Sequence, residues 1–505
     1  MAVIQTRSSV LSIMEEVTEG TPVIPASATD FVALQDDFTM EPSFEVLENA
    51  ELKSSIGKAK PILGAESPSA SMSHYIRASG VVGQAPNYGL LLKAALGAVA
   101  IASTEYDTVS GSTVSAIKVN TGEGVQFQRG QALLIKDATN NYRIRCIDSV
   151  STDDLNIGFQ VPVAPASGVN LGRSVLYYPA NSNHPTLTLW HYLGSGGAVQ
   201  MVSGARVTSA SIDSAAGDLI NASFDLEGLA YYWDPINILS SDRFIDFTDD
   251  DGTFAASVTA KMYKDPYELA AALQQAMNDT ASTETYTVSY VDSTGKFKIV
   301  STSTVLSLLW NTGANTANTI GDKLGFLIAA DDTGTAGTVG YTADNAQVFT
   351  PPYTPAFDNA DPLAAKDNEV LVGESDDYIC FKASSVSLSI DTPKTDILSI
   401  CAVSGKQGSV VNSREVSIEI AAPLDQYQVE KFKNFRSGDE IKFQYSFGIK
   451  VGGQWVAGKC GAIYNPTCTI SSFSIDDNDG LAQLNLTLSA FVNSAGEGEV
   501  YVNFL

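Results

Sequence analysis

Few residues in this chain are of a type that does chemistry. Its three histidines, His74, His184 and His191, have no metal-ligand neighbour at a usable spacing. His74 alternates with Met72 and Ile76, which places it on a strand face. His184 precedes a proline, and His191 sits in the aromatic run Trp190-His191-Tyr192. The glycines that follow, Gly194–Gly197, lack the lysine of a phosphate cradle, and there is no G-x-S-x-G elbow. Two acidic runs invite a calcium reading: Asp249-Asp250-Asp251-Gly252 and Asp476-Asp477-Asn478-Asp479-Gly480. In the second, Gly480 falls at loop position five and Thr487 at twelve, where an EF-hand needs Gly at six and Glu at twelve. Acidic turns are the expectation. Cys146, Cys380, Cys401, Cys460 and Cys468 are odd in number and lack C-x-x-C spacing, as reduced thiols do. No catalytic, metal or cofactor residues are expected. Paired carboxylates for glycoside cleavage depend on folded geometry, so sequence leaves them open.

The elements around these residues are mostly strands, which predicts a mainly β, β-rich α+β fold. At 505 residues the chain has room for about three or four domains. With 57 acidic against 30 basic side chains its formal charge is −27. That opposes tight nucleic-acid binding, which needs clustered Lys and Arg. The most apolar run, 90–102, is interrupted by Lys93 and is too short for a bilayer; the N-terminus has no apolar signal core, so a cytoplasmic site of synthesis is expected.

Residues 1–40 read as an extended N-terminal arm. Residues 41–107 plus 181–239 form a first sheet-plus-helix module, its helix running through Tyr88, Leu91, Leu92, Ala95 and Leu96. Residues 108–180 read as a self-contained small β-barrel insert. Residues 240–350 read as an inserted α+β domain. Its helix starts at Asp265-Pro266, and its hairpin turns at Thr294-Gly295. Residues 351–377, with their prolines, read as a linker. Residues 378–505 form a second module, with Val386, Leu388, Ile390 and Val416, Ile418, Ile420 alternating with polar residues. Pro423 is expected to open a helix through Tyr427, Val429, Phe432 and Phe435.

The two modules share a signature. Ser211-Ile212-Asp213 with Gly217 and Ser474-Ile475-Asp476 with Gly480 are separated by the same 263 positions, each within a strand–turn–strand unit. Upstream of both lie alternating strands and a helical stretch, so the chain reads as a duplication.

At this point the chain resembles the major tail tube proteins of long-tailed, siphophage-type bacteriophages. The resemblance is carried by Glu19-Gly20-Thr21-Pro22, Glu48-Asn49-Ala50-Glu51-Leu52, Ser55-Ile56-Gly57, Gly64 and Ser73-His74-Tyr75-Ile76-Arg77. Residues 244–345 resemble a module of phage structural proteins through Leu269–Met277, Thr294–Phe297, Leu308–Trp310 and Leu324–Phe326. The resemblance implies a structural virion protein, not an enzyme. It implies stacked rings forming a conduit for DNA ejection, assembled around a tape-measure protein and meeting tail terminator and distal tail proteins. Assembly would take place in the host cytoplasm. DNA would pass without specific binding, and no membrane is involved. Single-module relatives would close six-unit rings, so a duplicated chain is expected to form homotrimeric, pseudo-sixfold rings. The lumen is expected to be acidic, with Glu415 and Glu419 facing it, and both inserts outside the wall. The arm is expected to order only on a neighbouring subunit. A receptor-binding adhesin and a polysaccharide-degrading tail spike are the rival classes.

Overall fold

The computed structural model describes residues 6–51, 57–194, 197–334, 337, 339–357, 360–425, 438–494, 496 and 498–505. It is mostly β, and its two modules have the same strand plan. In the first copy we number β1 (Val10–Glu15), β2 (Phe31–Val32), β3 (Thr39–Glu41), β4 (Phe44–Leu47), β5 (Ile62–Glu66), β6 (Ser69–Tyr75), β7 (Leu187–Leu193), β8 (Ala198–Ala215), β9 (Asn221–Glu227) and β10 (Ala230–Trp233). In the second copy they are β11 (Glu369–Gly373), β12 (Tyr378–Phe381), β13 (Ser385–Asp391), β14 (Lys394–Leu398), β15 (Lys406–Val411), β16 (Glu415–Pro423), β17 (Ile441–Val451), β18 (Gln454–Asn478), β19 (Leu481–Ala490) and β20 (Tyr501–Phe504).

Adding ten to a first-copy strand gives its counterpart. β1 pairs with β2 and β7, β3 with β6, β4 with β5, β6 with β9, and β8 with β7, β9 and β10. The same eight pairings recur among β11–β20. Even the bulges correspond. The β8–β9 ladder shifts between Val207 and Ser209, and the β18–β19 ladder between Ile470 and Ser472, again 263 positions on.

Two expectations are corrected here. Within the expected arm of residues 1–40, the described part, 6–40, packs on its own chain: β1 runs antiparallel to β7, with Leu11 and Ile13 in the core. Within the expected linker, Glu369–Gly373 forms β11 and pairs with β12 and β17. Both strands open a copy, and both are too short to display a clear period. The helix expected through Tyr427, Val429, Phe432 and Phe435 lies outside the described residues. Pro423 itself ends β16.

In the first copy, helix α1 (Gly89–Leu96) packs Tyr88, Leu91, Leu92, Ala95 and Leu96 into the core beneath the sheet. It ends at Gly97, whose φ of 108° suits glycine. A Cβ there would stand 2.6 Å from that of Ala180. The core is shared: Leu11, Leu92 and Phe224 of the first copy and Leu388, Ile418 and Phe443 of the second belong to one cluster.

The first insert leaves and re-enters through two paired strands, Gly97–Ile101 and Val175–Pro179. It contains a four-stranded sheet with a core of its own around Ile117, Leu133, Ile147 and Leu155. It is not self-contained. Its other face buries Ala132, Ile144, Cys146 and Phe159 against Leu371, Cys460, Tyr464 and Leu505 of the second copy. Polar groups complete this junction: Arg145, nearly inaccessible, lies 2.9 Å from Glu369, and Asn503 bridges Gly130 and Ala132. The second insert carries helix α2 (Pro266–Asn278), N-capped by the Asp265 carboxylate accepting from the Glu268 amide at 2.7 Å. Among the described residues, its core around Phe247, Leu273, Phe297 and Trp310 draws only on residues 236–349.

Candidate functional site: an acidic sheet face

One continuous ladder joins the two copies. β8 of the first pairs with β13 of the second over Ser209–Ala215 and Ser385–Asp391. The result is an eight-stranded run in the order β3-β6-β9-β8-β13-β16-β19-β18, four strands from each copy in matching order.

Strand period two sorts the side chains on this run. Ala70, Met72, Ile212, Phe224, Leu388, Ile418 and Leu486 point into the core. The other face carries Ser69, Ser71, Ser73, Ser211, Ser223, Ser387, Ser389, Ser417, Asn485 and Thr487. Among these small polar residues stand exposed carboxylates: Glu41, Asp213, Asp225, Glu227, Asp391, Glu415, Glu419 and Asp476. Among the described residues these eight strands carry only two basic side chains: Arg206, opposite Glu227 at the rim and held 2.8 Å from Glu19, and Lys459, on the stretch of β18 outside its ladder with β19. At the rim, the buried ammonium of Lys394 lies 3.2 Å from Glu227.

The sequence pointed to Glu415 and Glu419, and both stand on this face. Asp391 lies directly opposite Glu415, and Ser387 and Thr487 flank Glu419. Like charges set opposite each other cost stability, so their concentration here is not explained by folding. The other six carboxylates were missed, although Ser211-x-Asp213 and Ser474-x-Asp476 lay within the repeat. In each copy the serine donates to the aspartate, at 2.8 and 3.1 Å. The aspartate of the first copy also accepts from Ser387 across the junction. The carboxylates stand side by side on an open sheet, without the facing pair across a cleft that glycoside cleavage requires.

The remaining candidates are structural. His74 is buried, stacks on Tyr88 with 4.4 Å between ring centroids, and donates from Nδ1 to the Tyr75 carbonyl. Burial depresses its pKa to about 4. His184 and His191 are likewise lowered by burial. Asp249, Asp250 and Asp251 accept from Ser282, Thr304 and Thr283, tying loops of the second insert together. Asp477 accepts from the Gly480 amide at 2.7 Å, as an acidic turn does. No cluster of three metal-ligating side chains occurs among the described residues, and no described helix is long and apolar enough to cross a membrane. All five cysteines are free, with Cys380 and Cys401 exposed.

Residues 6–232 match the family model described as phage tail tube protein. The matched stretch holds every residue that carried the tail tube resemblance in the sequence. Among solved structures, the tail tube of phage SPP1, determined by solid-state NMR and cryo-EM, is similar at 16% identity over 25% of this chain and 75% of that one, with a TM-score of 0.18. No curated protein matches.

Proposed function

We propose that this chain builds the wall of a phage tail tube as rings of three chains, each chain supplying two of six equivalent positions. The observation that carries this reading is the internal junction: a second copy with the same strand plan already sits edge to edge with the tail tube module. Head-to-tail contacts of this kind generate closed rings. Three chains of eight strands make a 24-stranded barrel. At about 4.8 Å between strands and a tilt near 40°, such a barrel is roughly 50 Å across at the backbone.

The acidic face lines the lumen in this reading, with Glu415 and Glu419 among its carboxylates. A wall so rich in carboxylates repels phosphates, so DNA slides through without being held. Stacked rings assemble around a tape-measure protein in the host cytoplasm and are bounded by tail terminator and distal tail proteins. Both inserts lie outside the wall. The domain plan follows: two tube modules, a β-sheet insert and an α+β insert.

Electron microscopy of the purified, concentrated protein tests this. Hollow filaments with threefold rings are expected. Solid fibres, or discrete particles at every concentration, would remove the proposal. Sixfold rings with 378–505 outside the wall would overturn the ring count.

A further inference from the structure

The two ends of the eight-stranded run are open in different ways. On one end, β18 pairs through Thr469–Asn478 with β19, and no strand ladder among the described residues occupies its other side there. On the other, β3 pairs with β6, and its outer side is likewise unpaired among the described residues. The first-copy counterpart of the open β18 segment is β8, whose same residues pair with β13. The consequence for burial is large. Ile212 is 3% exposed, whereas Ile475, the same position in the second copy, is 56% exposed.

We infer that β18 of one chain pairs antiparallel with β3 of a second copy, in the register of the internal β8–β13 junction. This rests on the tube reading above and specifies its chain-to-chain contact. The register follows from the ladders. Walking from β8 through β9 and β6 leads from Val207 by Leu226 and Ala70 to Met40. Walking from β18 through β19 and β16 leads from Ile470 by Leu488 and Ile418 to Leu388. Since Val207 and Ile470 are 263 apart, Met40 corresponds to Leu388, Thr39 to Ser387 and Glu41 to Ser389. Inside the chain, Ile212 faces Leu388, Ser211 faces Ser389 and Asp213 faces Ser387. Between chains, Ile475 therefore faces Met40, Ser474 faces Glu41 and Asp476 faces Thr39.

The chemistry at these positions fits. Ile475 meets the side chain of Met40, which is itself turned toward the core. The hydroxyl of Thr39 reaches the Asp476 carboxylate as that of Ser387 reaches Asp213. Glu41 lies opposite a serine, so no pair of carboxylates is forced together. Pairing also removes two open strand edges, which otherwise template uncontrolled association.

Cysteine pairs test the register, because directly opposed residues on one sheet face bring Cβ atoms to within reach of a disulfide. The full chain is used with Cys380→Ser and Cys401→Ser to remove the exposed thiols. Ser211→Cys with Ser389→Cys reports the internal junction and should close within the dilute monomer. Glu41→Cys with Ser474→Cys should not close in dilute monomer. On oxidation of assembled filaments it should convert most monomer into chain-to-chain species on non-reducing gels. Glu41→Cys with Ser472→Cys, slipped by two residues, should cross-link far less. Hollow filaments in which the internal pair closes and the 41/474 pair does not would overturn this register while leaving the tube reading standing. Preference for the slipped pair would do the same. If the parent chain forms no hollow filament at all, the tube reading fails and this contact fails with it.

Discussion

The residue with most at stake for stability is Arg145. Its guanidinium has lost nearly all solvent and has one carboxylate, Glu369, within 2.9 Å. Removing that partner strands a buried charge, so Glu369→Ala should cost about 3–5 kcal/mol in urea unfolding. The double variant Arg145→Met with Glu369→Leu should recover most of the loss, since a buried ion pair is worth little over a packed apolar pair. His74 sets a pH dependence. Its folded pKa is about 4 against an ordinary 6.5, because burial disfavours the imidazolium and Arg77 adds repulsion. The unfolded chain then binds more protons below pH 6.5, so stability falls as pH drops from 6.5 toward 4 and is complete above that range. Between pH 7 and 5 this amounts to about 2 kcal/mol from His74 alone. His74→Asn should flatten that part of the slope in melts followed across pH. An unchanged slope would show that the imidazole titrates freely in the fold.

At the scale of elements, the two inserts differ in kind. The core of the second draws only on its own residues, so 235–350 expressed alone should melt cooperatively by calorimetry. The first insert covers Tyr464, Leu371 and Leu505 of the second copy. Deleting 108–174 should therefore leave an aggregation-prone chain, detectable by light scattering. The repeated strands give a sharper comparison. Ile212→Asp places a charge in the core and should unfold the protein, whereas Ile475→Asp should leave the monomer melting within about 1 kcal/mol of the parent and block filament growth. Much of this was legible in the sequence. The period-two runs of β6, β13 and β16, the helical spacing from Tyr88 to Leu96 and the 263-residue offset all express burial on one face. What was missed had no such signal. β1 presents only Leu11 and Ile13 to the core, and β11 buries Val370, Leu371 and Val372 in a row without alternation, so they read as arm and linker. The packing of the first insert on the second copy arises between residues more than 200 positions apart. Glu415 and Glu419 stood out because alternation frames them. Asp225 and Asp391 share their face only once the ladders fix which strands are neighbours.

For the molecule as a whole, charge and assembly belong together. Asp213, Glu415 and Glu419 are exposed on a sheet face and make no part of the core. Replacing all three with Lys should leave the far-ultraviolet circular dichroism spectrum and the melt nearly unchanged. Tubes built from this variant should retain DNA, and its release should become steeply salt-dependent, as phosphate contacts are. Release that stays fast and insensitive to salt would show that these residues lie elsewhere. The internal junction has a further meaning for how a ring starts. In the proposed three-chain ring the six positions arrive in joined pairs, so for half of the seams closure is a matter of folding and not of encounter. The tether keeps each such pair at the millimolar local concentration typical of linked modules, however scarce the protein is in solution. A ring then needs three arrivals instead of six, and the rate of initiation should rise with a correspondingly lower power of protein concentration. Cutting the chain between the copies would leave every contact of the wall available and still make the first ring rare.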